Sequence, residues 1–121
     1  MNYKHLSLDS LKNLEIIDPT LAVQMMNIFL TEFPDQIKLI GSLIQTKNAY
    51  EFGRRIHALK GSISVFGCTE LCTSLKKIEL LAKDNKLDES LNLYWLCKKQ
   101  IDEFNSEIHQ FVANQKYQVA A

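Results

Sequence analysis

Apolar residues recur at spacings of three and four along most of the chain, and this pattern constrains the fold more than any other feature. Such spacing places side chains on one face of an α-helix, whereas a half-buried strand alternates with a period of two. No segment of the sequence shows that alternation. The chain also contains only four Gly and two Pro, which leaves little material for hairpin turns. The sequence therefore predicts an all-α fold.

Four long apolar stripes predict four long helices, and a shorter stripe from Ser7 to about Leu14 predicts a short helix before them. Asp18-Pro19, which follows the short stripe, is typical of a helix start. The long stripes are Ala22, Met26, Phe29, Phe33, Ile37, Ile40 and Ile44; Phe52, Ile56, Leu59, Ile63 and Phe66; Leu71, Leu75, Ile78 and Ala82; and Leu91, Tyr94, Cys97, Ile101, Phe104, Ile108 and Phe111. Such helices with short connections form an up-down-up-down bundle, with the short first helix across one end.

Local signals indicate where these helices bend and end. Pro34 interrupts the first long stripe, but because the stripe continues in phase, we expect one kinked helix rather than two. The next helix should run from about Lys47 to Phe66 and end at Gly67. Thr69 is expected to cap the helix that follows.

The whole chain, residues 1–121, is expected to form one domain, since it contains no linker and no internal repeat. Its last helix should run from about Leu87 to Ala113. The polar residues 114–121 should form a frayed tail.

Charge and composition exclude several classes of function. Lys plus Arg and Asp plus Glu are both 14, so the basic excess that usually marks a nucleic-acid-binding protein is missing. No apolar run approaches the roughly 18 residues that a membrane-spanning helix needs. The N-terminal sequence lacks the apolar stretch of a signal peptide. We therefore expect a cytoplasmic, monomeric protein without a nucleic-acid or membrane partner.

Motifs for catalysis and metal binding are also missing. The chain has no Gly-rich phosphate loop, no Gly-x-Ser-x-Gly and no His-Glu-x-x-His. Cys68 and Cys72 are four residues apart and could supply half a metal site, but the other ligands would have to come from distant residues. Packed, reduced thiols, including Cys97, are the favoured interpretation, so we expect no metal and no cofactor.

The most informative segment is residues 54–64, in which a histidine stands among small residues on the solvent side of a helix. At about 100° per residue, His57 points roughly 140° away from the core stripe of its helix. Gly53 and Gly61 lie one turn before and after it, although Gly inside a helix costs about 1 kcal/mol relative to Ala. Lys60, also one turn away, could screen an added dianion. Such local departures from stability are typical of functional sites.

At these residues the chain resembles the histidine-containing phosphotransfer (HPt) domain of bacterial two-component phosphorelays. The motif His-x-Leu-Lys-Gly-Ser of that family reads here as His57-Ala58-Leu59-Lys60-Gly61-Ser62, and Ser64, Gly67, Leu71, Cys72 and Leu75 continue the likeness. The segment Phe29–Pro34 looks like the family's second helix, so the resemblance covers about residues 20–112. The length is similar to that of monodomain members of the LuxU type.

The resemblance implies that the chain is a phosphorelay intermediate and not an enzyme. Through Nε2, His57 would accept a phosphoryl group from a phospho-aspartate in the receiver domain of a hybrid sensor histidine kinase. It would then pass the group to an aspartate of a response regulator. Lys60 would stabilise the phosphate and the partner receiver would supply Mg²⁺, because phosphoryl transfer needs mainly positioning and charge neutralisation.

Docking of a receiver should bury a surface around His57. We expect that surface to include Gly53, Arg54, Gly61, Ser64, Val65 and Met25. Leu21, Met25 and Ile28 lie off the core stripe of their helix, and they either belong to this surface or receive the short first helix.

Two other classes of function remain open from the sequence. A helical adaptor or inhibitor would bind a signalling partner without being phosphorylated and would tolerate the loss of His57. A small hydrolase or transferase with a histidine nucleophile would need a pocket and a second catalytic group. No carboxylate lies at helical spacing from His57 to serve as that group.

Overall fold

The computed structural model describes residues 3–7, 9–12 and 20–120, and these residues form a helical bundle. Its helices are α1 (residues 9–12), α2 (Leu21–Gln45), α3 (Ala49–Ser64), α4 (Thr69–Lys83) and α5 (Leu87–Ala120). The described part of the chain contains no strand, only one isolated bridge between Leu6 and Gly67. Each long helix packs against the next, and α5 also packs against α2, which closes the bundle. The predicted all-α bundle with a short N-terminal helix is confirmed.

The predicted stripes face the interior. Every stripe residue of α3 and α4 is buried, as is Phe66 just beyond α3. In α2 and α5, the stripe residues Ile37, Ile44 and Leu91 are only partly buried. The ring of Phe29 packs against those of Phe33 and Phe104 with centroids 5.3 and 5.2 Å apart. These separations fall within the favourable range for aromatic pairs, so they tie α2 to α5.

Helix α2 is one element that passes through Pro34, as predicted. It begins at Leu21, and Thr20 occupies the N-cap position. The expected start at Asp18-Pro19 lies outside the described residues, as do Leu8 and Leu14 of the short first stripe.

Helix α3 begins and ends slightly inside its predicted limits. Asn48 caps its first turn, because the side-chain oxygen accepts a hydrogen bond from the Glu51 backbone N–H at 3.2 Å. The helix ends at Ser64 rather than at Phe66, so the stripe continues into the connection.

The connection between α3 and α4 shows that the prediction that Thr69 caps α4 is wrong. Gly67 has φ 94° and Cys68 has φ 55°, so two successive residues are left-handed and Cys68 takes the N-cap position. Thr69 is already the first residue of the helix. A Cβ at Gly67 would overlap the side chain of Ser7, which explains why glycine is needed there.

The N-terminal segment is fastened across this connection and α5. The backbone N–H groups of Lys4, His5 and Leu6 all donate to the Glu107 carboxylate, at 3.1, 2.9 and 2.8 Å. Leu6 and Leu11 are both buried in the core cluster. The short first helix therefore packs at one end of the bundle.

Helix α5 is longer than predicted. Its backbone stays helical through Ala120 instead of ending at Ala113. The reason is local, since residues 114–120 contain neither Gly nor Pro to stop the helix. The fraying expected for residues 114–121 stays a prediction.

Candidate functional site

His57 lies in the middle of α3 with 63% of its side chain exposed, which confirms its predicted place on the solvent side. The residues on either side of it in sequence, Ile56 and Ala58, are buried and exposed respectively. The imidazole therefore stands at the boundary between the core of the bundle and solvent.

The imidazole of His57 contacts a carboxylate of the neighbouring helix α4. Its Nδ1 lies 2.9 Å from Oε1 of Glu79, a residue of α4 whose side chain is only 17% exposed. The other carboxylate oxygen, Oε2, accepts a hydrogen bond from Nζ of Lys60 at 3.1 Å. Nζ of Lys76 lies 3.9 Å from the same oxygen. One carboxylate thus joins one imidazole and two ammonium groups.

The ionisation state of Glu79 follows from these contacts. Partial burial acts to raise its pKa, but hydrogen bonds and charges from Lys60 and His57 outweigh that effect and leave the pKa below its ordinary value. The group is therefore a carboxylate at neutral pH. An ionised carboxylate can only accept hydrogen bonds, so Nδ1 of His57 must carry the proton. In the neutral ring, Nε2 then keeps its lone pair.

Lys60 lies one turn after His57 on α3, and most of its side chain is covered. Only 19% of its side chain is exposed, because its ammonium turns inward to Glu79. An ammonium has three N–H donors, so the bond to Glu79 leaves two of them for other acceptors. A contact from Lys60 to a phosphoryl group stays a prediction.

The two glycines that flank His57 have different roles. Gly61 is exposed, and a Cβ built there would meet nothing within 4 Å, which confirms the predicted open surface on that side. Gly53 is buried, and a Cβ there would lie 3.4 Å from Cβ of Ala82. Gly53 nevertheless lines an open cleft together with His57 and Glu79, so its place in the docking surface stays a prediction.

The other residues of the expected docking surface lie on two flanks of α3. Arg54 is exposed, 3.4 Å from a carboxylate oxygen of Glu51. Ser64 is exposed, and its hydroxyl donates to the Gly61 carbonyl at 2.9 Å. The half-buried side chains of Met25 and Val65 line a groove between α2 and α3 with Ile28, Phe29, Glu32, Ser62 and Phe66.

The sequence left open whether the off-stripe residues of α2 pack against the short first helix. Ile28 does not. Its side chain is 58% exposed at the edge of the groove. Leu21 and Met25 are partly buried.

The three thiols are packed as expected from the sequence. Cys68 and Cys97 are buried and Cys72 is half-buried. Burial raises the pKa of Cys68 to about 12 and also raises those of Cys72 and Cys97, so all three are protonated at neutral pH. Among the described residues, no group of three His, Cys, Asp or Glu side chains is placed to hold a metal ion.

Comparison with protein-family models gives one family for this fold and site. The Hpt domain matches residues 24–111, which is most of the chain, and this range includes His57, Lys60 and Glu79. The chain therefore belongs to the Hpt domain family, the phosphocarrier modules of two-component signalling that lack kinase activity of their own. The match does not distinguish the monodomain LuxU type from other members.

Searches of curated proteins and of solved structures gave no match. In the part of the chain that the structure describes, no helix is long and apolar enough to cross a membrane.

Sequence reasoning missed Glu79, although a signal for it was present. Two helices joined by a short connection run antiparallel, so residues at similar distances from the connection face each other. His57 lies ten residues before Gly67 and Glu79 twelve residues after it. A search for a carboxylate across this pair of helices, rather than along α3, would have found it.

Proposed function

We propose that the protein is a phosphorelay intermediate that carries a phosphoryl group on Nε2 of His57. The donor is a phospho-aspartate in the receiver domain of a hybrid sensor histidine kinase, and the acceptor is an aspartate of a response regulator. The observation that best supports this proposal is the 2.9 Å contact between Nδ1 of the exposed His57 and the ionised Glu79. It leaves the outer ring nitrogen as the available nucleophile.

In the forward step the lone pair of Nε2 forms the N–P bond while the P–O bond to the donor aspartate breaks. The leaving group is the aspartate carboxylate, which keeps the bonding electron pair. No proton has to leave Nε2 before the attack, because the ring proton is on Nδ1. The ring becomes positively charged as the N–P bond forms, and the Glu79 carboxylate stabilises that charge.

The return step needs the same groups in reverse. An aspartate oxygen of the response regulator forms the new P–O bond, the N–P bond breaks, and its electron pair returns to Nε2. Since Nδ1 keeps its proton throughout, neither direction requires a separate acid or base. The site therefore suits a carrier that passes phosphate in both directions.

Positive charge near His57 is the second part of the proposal. The ammonium of Lys60 is fixed 3.1 Å from Glu79 and has two further N–H donors. In the phosphorylated state we assign one of them to a phosphoryl oxygen. Mg²⁺ would come from the receiver, and the expected monomeric state and cytoplasmic location remain parts of this proposal.

The test is transfer of label from a panel of purified, phosphorylated receiver domains to the wild-type chain and to His57→Gln. A matched control is His109→Gln, which changes another exposed histidine, on α5. The wild type and His109→Gln should acquire phosphate that is labile in acid and stable in alkali, and His57→Gln should acquire none. Label on His57→Gln, or alkali-labile label on the wild type, would refute the assignment. A partner that binds both proteins without transferring label would instead identify an adaptor.

A further inference from the structure

Resting on the proposed phosphotransfer function, we propose that a cleft between α3 and α4 recognises an acidic segment of the receiver domain. The segment inserts an apolar side chain beside Tyr50 and places its carboxylates against Arg54 and Lys83. This cleft is separate from the groove between α2 and α3 that contains Met25 and Val65.

The shape of the cleft supports insertion of a side chain. It has a volume of about 460 Å³, within the range typical of ligand sites. Its lining consists of Ala49, Tyr50, Gly53, Arg54, His57, Ala58, Glu79 and Lys83. The lining combines small residues of α3 with longer polar side chains of both helices. Because His57 belongs to the lining, a segment seated here lies directly beside the reacting imidazole.

The charge of the two helices indicates an acidic occupant. Although the whole chain is neutral, α3 and α4 carry six Lys and Arg residues against three Glu. Two of these glutamates are already paired: Glu51 contacts Arg54 at 3.4 Å, and Glu79 binds His57 and Lys60. These pairs also occupy Arg54 and Lys60, so it is the excess of three positive charges over the two helices that would accelerate the encounter with a partner of negative charge.

Tyr50 gives the cleft an apolar contact that the internal packing does not use. Its side chain is 73% exposed. Cζ of Arg54 lies 5.9 Å from the centroid of its ring, which is within the distance of a cation–π contact. Both side chains line the cleft and are largely exposed, so they are accessible to a partner. Tyr and Arg are also the residue types that most often dominate the energetics of protein interfaces.

The experiment compares Tyr50→Ala and Lys83→Glu with a control of equal charge change on another face. That control is Lys38→Glu, because Lys38 is exposed on α2. The first measurement is the second-order rate of phosphoryl transfer from whichever receiver phosphorylates the wild type, at low and at high salt. The second is phosphorylation of each protein by phosphoramidate, a small donor that needs no docking surface.

We expect Tyr50→Ala and Lys83→Glu each to lower the receiver-dependent rate about tenfold at low salt, as loss of an interface anchor does. The defect of Lys83→Glu should shrink at high salt, because exposed charges are screened there. Lys38→Glu should stay within about twofold of the wild type. Tyr50→Ala should react with phosphoramidate at the wild-type rate, which shows that His57 itself is intact.

Three results would overturn the proposal. The first is an equal receiver-dependent rate for Lys83→Glu and Lys38→Glu. The second is a loss of phosphoramidate reactivity in Tyr50→Ala that matches its loss with the receiver. The third is a wild-type dimer that Tyr50→Ala converts to a monomer, since the occupant would then be a second copy of the chain. Failure of the proposed function has a different signature, which is a wild type that neither donor phosphorylates on His57.

Discussion

Replacing Glu79 by Gln removes the negative charge beneath His57 and changes the shape of the site very little. The amide oxygen of Gln can still accept the hydrogen bond from Nδ1, so the reactive tautomer is retained. What is lost is the negative charge that stabilises the ring when it carries a phosphoryl group, together with the second oxygen, which accepts from Lys60. We therefore expect Glu79→Gln to accept phosphate on the same nitrogen as the wild type, but more slowly.

The size of the effect follows from the exposure of the two partners. A hydrogen bond to a charged group contributes about 1.5–3 kcal/mol, against about 1 kcal/mol for a neutral one. The difference is therefore about 0.5–2 kcal/mol. His57 is mostly exposed, so solvent weakens the charge contribution and a value in the lower half of that range applies. A loss of about 1 kcal/mol corresponds to roughly a fivefold slower transfer. Glu79→Ala, which removes the acceptor as well, should be slower still.

The assay is a time course of transfer from a phosphorylated receiver, combined with ¹⁵N NMR of the imidazole. The NMR spectrum identifies which ring nitrogen carries the proton, a property that a purely structural role of Glu79 would not change. Glu70→Gln is the matched control, since Glu70 is an exposed carboxylate on the same helix. Equal transfer rates for Glu79→Gln, Glu79→Ala and Glu70→Gln, together with an unchanged ring tautomer in Glu79→Ala, would refute the reasoning.

Three further predictions concern residues on the same helix as His57. Lys60→Ala should slow transfer by about ten- to hundredfold through loss of charge-assisted contacts. Thermal melting and circular dichroism should show an intact bundle. Transfer at the wild-type rate would exclude a role of Lys60 in binding phosphate. Gly61→Leu should raise stability by about 0.5–1 kcal/mol and block transfer from the receiver, since its side chain meets open surface; lower stability with normal transfer would contradict this. Gly53→Leu should instead lower stability by about 1–3 kcal/mol, because its side chain meets Ala82. A melting temperature at or above that of the wild type would show that α3 and α4 can separate at no cost.

The pH dependence of stability provides a further test of the ionised state of Glu79. Its pKa in the folded state is lowered by Lys60 and His57 in spite of partial burial. A carboxyl group with a lowered pKa contributes stability above its unfolded-state pKa and loses that contribution as the pH falls through the folded-state value. Acid denaturation of Glu79→Gln should accordingly lack this component, and melting curves over the acidic range measure it.

The bundle could be predicted from the sequence because helical periodicity is a local property. Each stripe, such as Phe52, Ile56, Leu59 and Ile63, defines a buried face without reference to any other helix. The turn at Cys68 could not be predicted in this way. Its left-handed backbone adjoins a contact between segments distant in sequence, because Leu6 pairs with the preceding Gly67 and Ser7 lies where a side chain at Gly67 would lie.

The parts of the site that depend on a single helix could also be predicted from the sequence. The exposure of His57 and the open surface at Gly61 follow from the wheel of one helix. The burial of Gly53 and the inward turn of Lys60 depend on α4, which a wheel of α3 does not contain. Glu79 was missed because its role arises from the register between two helices.

The separation between inner and outer groups has a consequence for the way variants should behave. Glu79 is mostly buried and Lys60 bends toward it, whereas His57 and Gly61 face outward, so the carboxylate orients the ring from the inner side while Nε2 is left for a partner. Both helices that hold these groups are rigid elements in close contact at Gly53, which favours a fixed geometry over one that the partner must induce. Changes to Glu79 or Lys60 should therefore slow phosphorylation by a small donor and by a receiver alike. Changes to the outer surface should slow only the receiver.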